Sequence, residues 1–206
     1  MFQRFICAAC LTLLVFAGTV NAKTASYDFS DPKGVNAISI VLDGAFEPNV
    51  GFASPTQGTV TIDTDTSKIV SGKISVPTNG VTMTNSTMTK VLQSSKWLDA
   101  EKNPMITFEF LQTVSMGTMT PTKYQVIVEG NLSIAGVTKK VSAPISLTFF
   151  PGQLKDRNPN DNGDLVVLRS NLQISRKDFN LNPGTPETLV SDTISLVINL
   201  AGAHRP

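Results

Sequence analysis

After an apolar N-terminal stretch, apolar and polar residues alternate along most of the chain. The cleanest run has apolar side chains at every second position from Ile194 to Leu200, with Ser195 and Asn199 between them and Val197 as the exception. Successive side chains of a strand point to opposite faces, so this period of two predicts strands with one buried face. Comparable runs begin at Ile38, Val60, Ile74, Tyr124 and Val141.

Glycine and proline residues indicate where these strands bend and turn. Gly130 interrupts the long strand that starts at Tyr124, and glycine is common where barrel sheets curve. Ala135 and Gly136 predict the tight turn of a hairpin, since glycine tolerates the positive φ that such turns require. Pro144 lies on the returning strand, and because proline cannot donate to a sheet ladder it indicates an edge position or a bulge.

One segment has the pattern of a helix. Apolar residues recur at helical spacing between Thr84 and Ser95, and Asn85 or Ser86 is available as the N-cap. No repeat, linker or low-complexity tail divides the chain. Many strands, one helix and regular turns therefore predict a single all-β domain, either an antiparallel barrel or a sandwich.

The first 22 residues have the pattern of a cleaved secretory signal peptide. Arg4 supplies the positive charge, an apolar run follows, and small residues precede a cleavage point after Ala22. The alternative, lipid attachment at Cys10, leaves too short an apolar run before the cysteine. Because Cys7 and Cys10 both lie in this segment, the mature domain at 23–206 has no thiol and no disulfide. The expected location is the periplasm or the extracellular space.

Composition argues against several kinds of function. Without Arg4, basic and acidic residues are equal in number, which disfavours binding to nucleic acid or to an anionic membrane by charge. The single histidine, His204, is expected in a frayed C-terminal tail, so we expect no Ser-His-Asp or Cys-His catalysis and no zinc site. Residues 156–164 resemble a calcium loop, but Val167 stands where a bidentate Glu belongs, so a solvated loop is expected. We predict no enzyme activity, no metal and no cofactor.

Three segments carry a resemblance to a known family. They are the helix-turn-strand stretch from Leu92 to Phe110, the hairpin GNLSIAGVTKKV from Gly130 to Val141, and ISRKDF from Ile174 to Phe179. In order and spacing they resemble motifs of the YceI-like family. The N-terminal third departs from the family pattern, since the stretch from Ser39 to Phe46 lacks the histidine that members often carry.

The resemblance implies a lipocalin-like antiparallel β-barrel, with a short helix near its mouth, that holds a polyisoprenoid or similar long-chain amphipathic lipid. A quinone tail or a polyprenyl phosphate is the kind of ligand implied. On this interpretation one set of apolar residues forms the cavity wall and Trp97 and Leu98 form a plug, while Arg176 is an exposed or turn residue without a ligand role. The predicted wall residues are Ile106, Phe108, Phe110, Leu132, Ile134, Val141, Ile145, Leu147, Ile194, Leu196 and Ile198.

Alternation alone does not separate a hollow barrel from a filled one, because every sheet protein must bury one face. The alternative is therefore a filled barrel in a stress-associated interaction protein without lipid, which would present the loop at residues 151–163 to a partner. The sequence leaves open the identity of the lipid and whether the barrel forms a homodimer.

Overall fold

The computed structural model describes residues 23–46 and 48–206, so the predicted signal peptide lies outside the described residues. Within these ranges the chain forms antiparallel strands and two short helices, α1 (Ser86–Gln93) and α2 (Leu154–Arg157). The strands are β1 (Thr24–Asp28), β2 (Ala37–Gly44), β3 (Pro48–Ala53), β4 (Gln57–Asp63), β5 (Ile69–Pro77), β6 (Val81–Met83), β7 (Met105–Thr120), β8 (Lys123–Ile134), β9 (Val137–Phe150), β10 (Asp164–Ser175) and β11 (Val190–His204). Single 3-10 turns lie at Thr78–Gly80 and Lys177–Phe179.

Eight strands close a barrel in the order β1-β4-β5-β7-β8-β9-β10-β11. The closing contact pairs Asp28 of β1 with Ala203 of β11. The all-β antiparallel barrel is thus confirmed, and the sandwich is excluded because the sheet returns to its first strand. No helix in the described part of the chain has the length and apolar character needed to cross a membrane.

Three further strands extend the wall on one side. β11 pairs with β2 at Val190 and from Ile194 to Asn199, and β2 continues through β3 to β6. At its other end β11 meets β1 instead. The two ends of the barrel therefore have different walls next to β11: β1 at one end, and the β2-β3-β6 sheet at the other.

Large side chains fill the end at which β1 closes the barrel, and we call this end the filled half. Phe29 is fully buried, and its ring lies against Gly202, where an added Cβ would come within 2.7 Å of Phe29 Cζ. Aromatic rings complete the packing: Tyr27 lies 6.2 Å from Phe149 and 5.6 Å from His204 between ring centroids. Buried aliphatic side chains, among them Val126, Val128, Leu147 and Val166, occupy the rest of this half.

The predicted helix and turns are present. α1 is capped by Asn85, whose side-chain oxygen accepts a 2.8 Å hydrogen bond from the Met88 N–H. Ala135 and Gly136 both have positive φ, 49° and 77°, as a two-residue hairpin turn requires. Pro144 pairs with Ile127 of β8, while pairing of β9 with β10 stops one residue later. Pro144 thus occupies a local edge.

The C-terminal segment differs from the prediction of a frayed tail. β11 continues to His204, which pairs with Asp164 of β10 and whose Nδ1 lies 3.0 Å from the Ser26 carbonyl oxygen. The prediction for His204 was wrong because Ala201, Gly202 and Ala203 are small and carry no alternating bulk, although the barrel closes through them. The loop at residues 151–163 also contains α2, which the sequence pattern did not indicate.

Candidate functional site

The other end of the barrel, which we call the hollow half, encloses an apolar cavity of about 190 Å³. Its wall comes from the barrel strands and from the β2-β3-β6 sheet. Apart from Gly72, Lys73, Ser75 and Ser170, the described lining residues are apolar. They are Ile38, Ile40, Leu42, Ala53, Val60, Ile69, Ile74, Val76, Val81, Met83, Leu92, Trp97, Leu98, Ile106, Phe108, Phe110, Leu132, Ile134, Ala143, Ile145, Leu168, Leu172, Ile174, Leu181, Ile194, Leu196, Ile198 and Leu200.

The exposure of the inward-facing side chains supports an open interior. Ile40 of β2, Phe108 of β7 and Leu196 of β11 pack against the core, yet each is only half-buried. In a filled barrel such positions are covered on all sides, as Leu147 is in the filled half. Their remaining exposure is therefore surface that faces the cavity.

Most of the predicted wall lies around this cavity. The lining includes Ile106, Phe108, Phe110, Leu132, Ile134, Ile145, Ile194, Leu196, Ile198, Trp97 and Leu98. Val141 and Leu147 are not among the lining residues. Leu147 is fully buried in the filled half, and Val141 is half-buried against the core. Whether any of these side chains contacts a ligand stays a prediction.

Some lining residues were not selected from the sequence. Ile38, Ile40 and Leu42 alternate in a recognisable strand, so their pattern could have placed them on the same inner face. β2 reaches the cavity because it pairs with β11, and that pairing has no local sequence signal. Leu181 lies in an irregular loop and is buried at the cavity. No periodicity identifies such a residue.

Gly130 gives Phe108 its position in the wall. The two residues lie on neighbouring strands, and an added Cβ at Gly130 would fall 2.2 Å from Phe108 Cζ. The ring thus lies across the glycine backbone. The register of β7 and β8 shifts next to this glycine, between Phe110 and Gln112, and such an extra residue bends the strand that carries it, here β7.

The helix α1 and the turn after it cover one side of the hollow end. Gln93 holds the helix in place, since its side-chain amide donates to the carbonyl oxygens of Asn79 and Val81 at 3.0 and 2.9 Å. The chain then turns back, and the Leu98 N–H donates to the Leu92 carbonyl oxygen at 3.0 Å. Leu92, Trp97 and Leu98 all line the cavity, and the role of Trp97 and Leu98 as a plug stays a prediction.

Arg176 lies in the turn that follows β10, which is one of the two predicted possibilities, but the expectation of an exposed side chain was wrong, since only 1% of its surface is exposed. Its guanidinium donates to the carbonyl oxygens of Leu181 and Asn182 at 2.7 and 2.8 Å, and to those of Thr185 and Ser191 at 3.1 and 3.3 Å. All but the last of these carbonyl groups belong to the loop that follows Arg176. Because the partners of Arg176 are backbone carbonyl groups, no pattern of side chains in the sequence indicates these hydrogen bonds.

The charge of Arg176 also lies close to a ring and to a carboxylate. Its Cζ is 5.9 Å from the centroid of the Trp97 ring, within the range of a cation–π contact. Hydrogen bonds from the Ser175 hydroxyl and the Lys177 N–H, with the charges of Lys177 and Arg176, hold the pKa of Asp192 below its usual value. The carboxylate therefore stays ionised near the buried guanidinium.

Comparison with known proteins decides the family. The sequence profile of the YceI-like domain matches residues 15–201, which is most of the chain. The chain belongs to the YceI-like family. No curated protein sequence gives a significant match.

Solved structures agree with the YceI-like assignment at the level of the fold. BcnA of Burkholderia cenocepacia is similar over 81% of this chain and 95% of its own, with 20% identity and a TM-score of 0.63. The YceI protein of Campylobacter jejuni is similar over 97% of this chain and 94% of its own, with 19% identity and a TM-score of 0.55. A polyisoprenoid binding domain from Saccharophagus degradans, implicated in plant cell wall breakdown, is similar over 89% of this chain and 100% of its own, with 12% identity and a TM-score of 0.61.

Proposed function

We propose that this YceI-like protein binds a polyisoprenoid or a similar long-chain amphipathic lipid, with the apolar tail in the hollow half of the barrel. The observation that carries the proposal is the cavity itself, whose wall is almost entirely aliphatic and aromatic. Each CH₂-sized group that leaves water for such a wall contributes ~0.8 kcal/mol to binding. Family membership and the polyisoprenoid-binding fold neighbour support the same class of ligand.

The size of the cavity limits what enters it in this conformation. A cavity of about 190 Å³ is smaller than the ~300–1,000 Å³ of typical small-molecule sites. An apolar cavity of ~150 Å³ holds a benzene ring. The space therefore fits on the order of one or two isoprene units, and a longer chain requires the walls at the mouth to separate.

We propose a binding role without catalysis. Lys73 is the one ionisable side chain among the described lining residues, and it is exposed at the outer surface. His204 packs against Tyr27 in the filled half, away from the cavity. An apolar wall can hold and desolvate a lipid tail, but it supplies no acid, base or nucleophile to a reacting group.

We propose that the protein acts outside the cytoplasm, in the periplasm if its host is Gram-negative. The pattern of the first 22 residues supports export, and a carrier in that compartment would keep a lipid tail out of water. N-terminal sequencing of the exported protein should find Lys23 as its first residue. Retention of Met1 in the exported protein would contradict the proposal.

The alternative, a filled barrel without a ligand, is less well supported. It requires that inward-facing side chains occupy the whole interior, whereas half-buried residues such as Phe108 and Ile198 border open space. The filled half satisfies that requirement, but the hollow half does not.

Trp97 provides a direct test, because it is the single tryptophan of the chain and lines the cavity. We expect a benzoquinone with a short isoprenoid tail to quench Trp97 fluorescence in a saturable way. The same quinone without a tail should quench much more weakly, because it buries no chain. Quenching that is equal with and without the tail would contradict lipid-tail binding.

Phe108→Asp should reduce the affinity for the tailed quinone by at least ~100-fold, since it places a carboxylate in an apolar wall. The matched control is Thr107→Asp, which adds the same charge at the neighbouring position of β7, on the opposite face of the strand. Circular dichroism and thermal unfolding should show that both variants fold. Full affinity in a folded Phe108→Asp protein would remove this residue from the site.

A further inference from the structure

The hollow end is covered by two segments that come from different parts of the chain. The first, the helix turn, consists of residues 94–99 after α1. The second, the mouth loop, consists of residues 176–189 between β10 and β11. Trp97 of the helix turn and Leu181 of the mouth loop both line the cavity, so the interior lies directly beneath the two segments.

The mouth loop is held together by its own bonds. Arg176 joins the carbonyl groups of Leu181, Asn182 and Thr185, and its backbone carbonyl accepts from the Leu181 N–H at 3.1 Å. Lys177 adds an ion pair with Glu187 in the same loop. These contacts start and end within the loop, so they hold its shape whether or not it touches the helix turn.

The helix turn is likewise tied to its own side. The Trp97 N–H donates to the Ser94 carbonyl oxygen at 3.0 Å, and the Ala100 N–H donates to that of Gln93 at 3.1 Å. The Gln93 side chain in turn donates to the carbonyl oxygens of Asn79, which precedes β6, and of Val81, the first residue of β6. None of these bonds reaches the mouth loop.

Among the described residues, two polar contacts join the segments, and we call the line between them the seam. The Asn182 N–H donates to the Lys96 carbonyl oxygen at 2.6 Å. The Arg176 guanidinium faces the Trp97 ring at 5.9 Å. On this basis we infer that the seam is the entrance of the cavity, and that the mouth loop and the helix turn separate there to admit the ligand.

The distribution of bonds favours opening at this line over opening elsewhere in the wall. Of the polar contacts, separation at the seam breaks one backbone hydrogen bond and one ring contact, while the bonds from Arg176 to the carbonyl groups of the mouth loop itself are kept. Opening between two barrel strands would break a ladder, such as the one from Lys73 to Pro77 that joins β5 to β7. The inference rests on the proposed function, since it concerns how a lipid tail reaches the cavity.

A disulfide across the seam tests the inference, and the chain has no cysteine after residue 22 that would compete. The variant is Lys96→Cys with Asn182→Cys, whose backbone groups already lie 2.6 Å apart. Disulfides span ~4.4–6.8 Å between Cα atoms, a range compatible with such neighbours. If the disulfide does not form, dibromobimane can link the same two thiols through thioether bonds, and the unlinked double-cysteine protein then replaces the reduced protein as the reference for the rate.

The matched control places both thiols within the mouth loop, as Asn182→Cys with Thr185→Cys. The Thr185 N–H lies 3.4 Å from the Asn182 carbonyl oxygen, so this pair is close but does not cross the seam. Asn182 has a φ of 46°, which is unfavourable for cysteine. Because both variants carry this substitution, its cost is the same in each.

The measurement is stopped-flow quenching of Trp97 by the quinone with a short isoprenoid tail. Linking the seam should slow uptake by at least about tenfold, as expected when a lid must open, and reduction should restore the rate. The control pair should take up quinone at the same rate in both redox states. Uptake that is equally fast with the seam linked would overturn the entrance while leaving the proposed function intact. Failure of the unmodified protein to bind the quinone would overturn the proposed function and the entrance together.

Discussion

The two halves of the barrel contain the same kind of local contact, yet one half is filled and the other is hollow. In each half a phenylalanine ring lies across a glycine on a neighbouring strand: Phe29 over Gly202 in the filled half, and Phe108 over Gly130 in the hollow half. Phe29 is fully buried, whereas Phe108 is half-buried and borders the cavity. The contact between ring and glycine therefore does not decide whether the interior is filled.

The neighbouring strands explain the difference. At the filled end, β1 closes against β11. Tyr27 of β1 and Phe29, which directly follows β1, are both buried there. At the hollow end, the β2-β3-β6 sheet takes the place of β1, and its inward residues are aliphatic or small, such as Ile40 and Ala53. A wall with more strands and smaller side chains leaves space that the core does not fill.

Phe29→Ala should have the largest effect on stability. It removes a fully buried ring from a region that is packed on all sides, and such substitutions cost ~3–5 kcal/mol. We expect urea unfolding to show a loss of this size. The affinity for a tailed quinone should change little in the protein that remains folded. A loss below ~1 kcal/mol would mean that the filled half is less tightly packed than the structure indicates.

Phe108→Ala should cost less, ~1–2 kcal/mol, because a half-buried ring at the edge of a cavity loses less apolar burial. Its larger effect should be on ligand choice, since the substitution enlarges the cavity. In Trp97 quenching with quinones of increasing tail length, the optimum should move to a longer tail. An unchanged optimum would indicate that Phe108 does not limit the space available to the ligand.

Much of the barrel is readable from the sequence because alternation reports which side chains share a face. The inner faces of two long strands, β7 and β11, follow from this signal alone. The residues concerned are Ile106, Phe108 and Phe110 on β7, and Ile194, Leu196 and Ile198 on β11, and all of them line the cavity. Alternation does not say what such a face binds, and the expectation of a lipid comes from the family resemblance.

The rest of the site depended on contacts that no local pattern encodes. Arg176 is buried because the carbonyl groups of its own loop surround it, and those groups are the same whatever the side chains are. β2 joins the cavity wall through its pairing with β11, although the two strands lie far apart in the chain. His204 lies in a strand because β11 continues to the point where the barrel closes at Asp28 and Ala203. Alternation therefore predicted the inner faces of the strands, but not which strands meet or which end of the barrel stays open.

The smallest of the expected effects is a loss of folding stability at alkaline pH that arises in the filled half, at Tyr27. Burial, together with the negative charge of Asp164, raises the pKa of Tyr27 to about 12, above its usual value of 10.0. As pH rises from 10 towards 12, the unfolded chain loses this phenol proton while the folded protein keeps it, so stability falls with pH. The contribution of Tyr27 is fully present below pH 10. In urea unfolding across this range, Tyr27→Phe should show a shallower loss of stability than the unmodified protein, because its side chain has no proton to lose. Equal slopes in the two proteins would show that Tyr27 is not protected from ionisation by its position in the filled half.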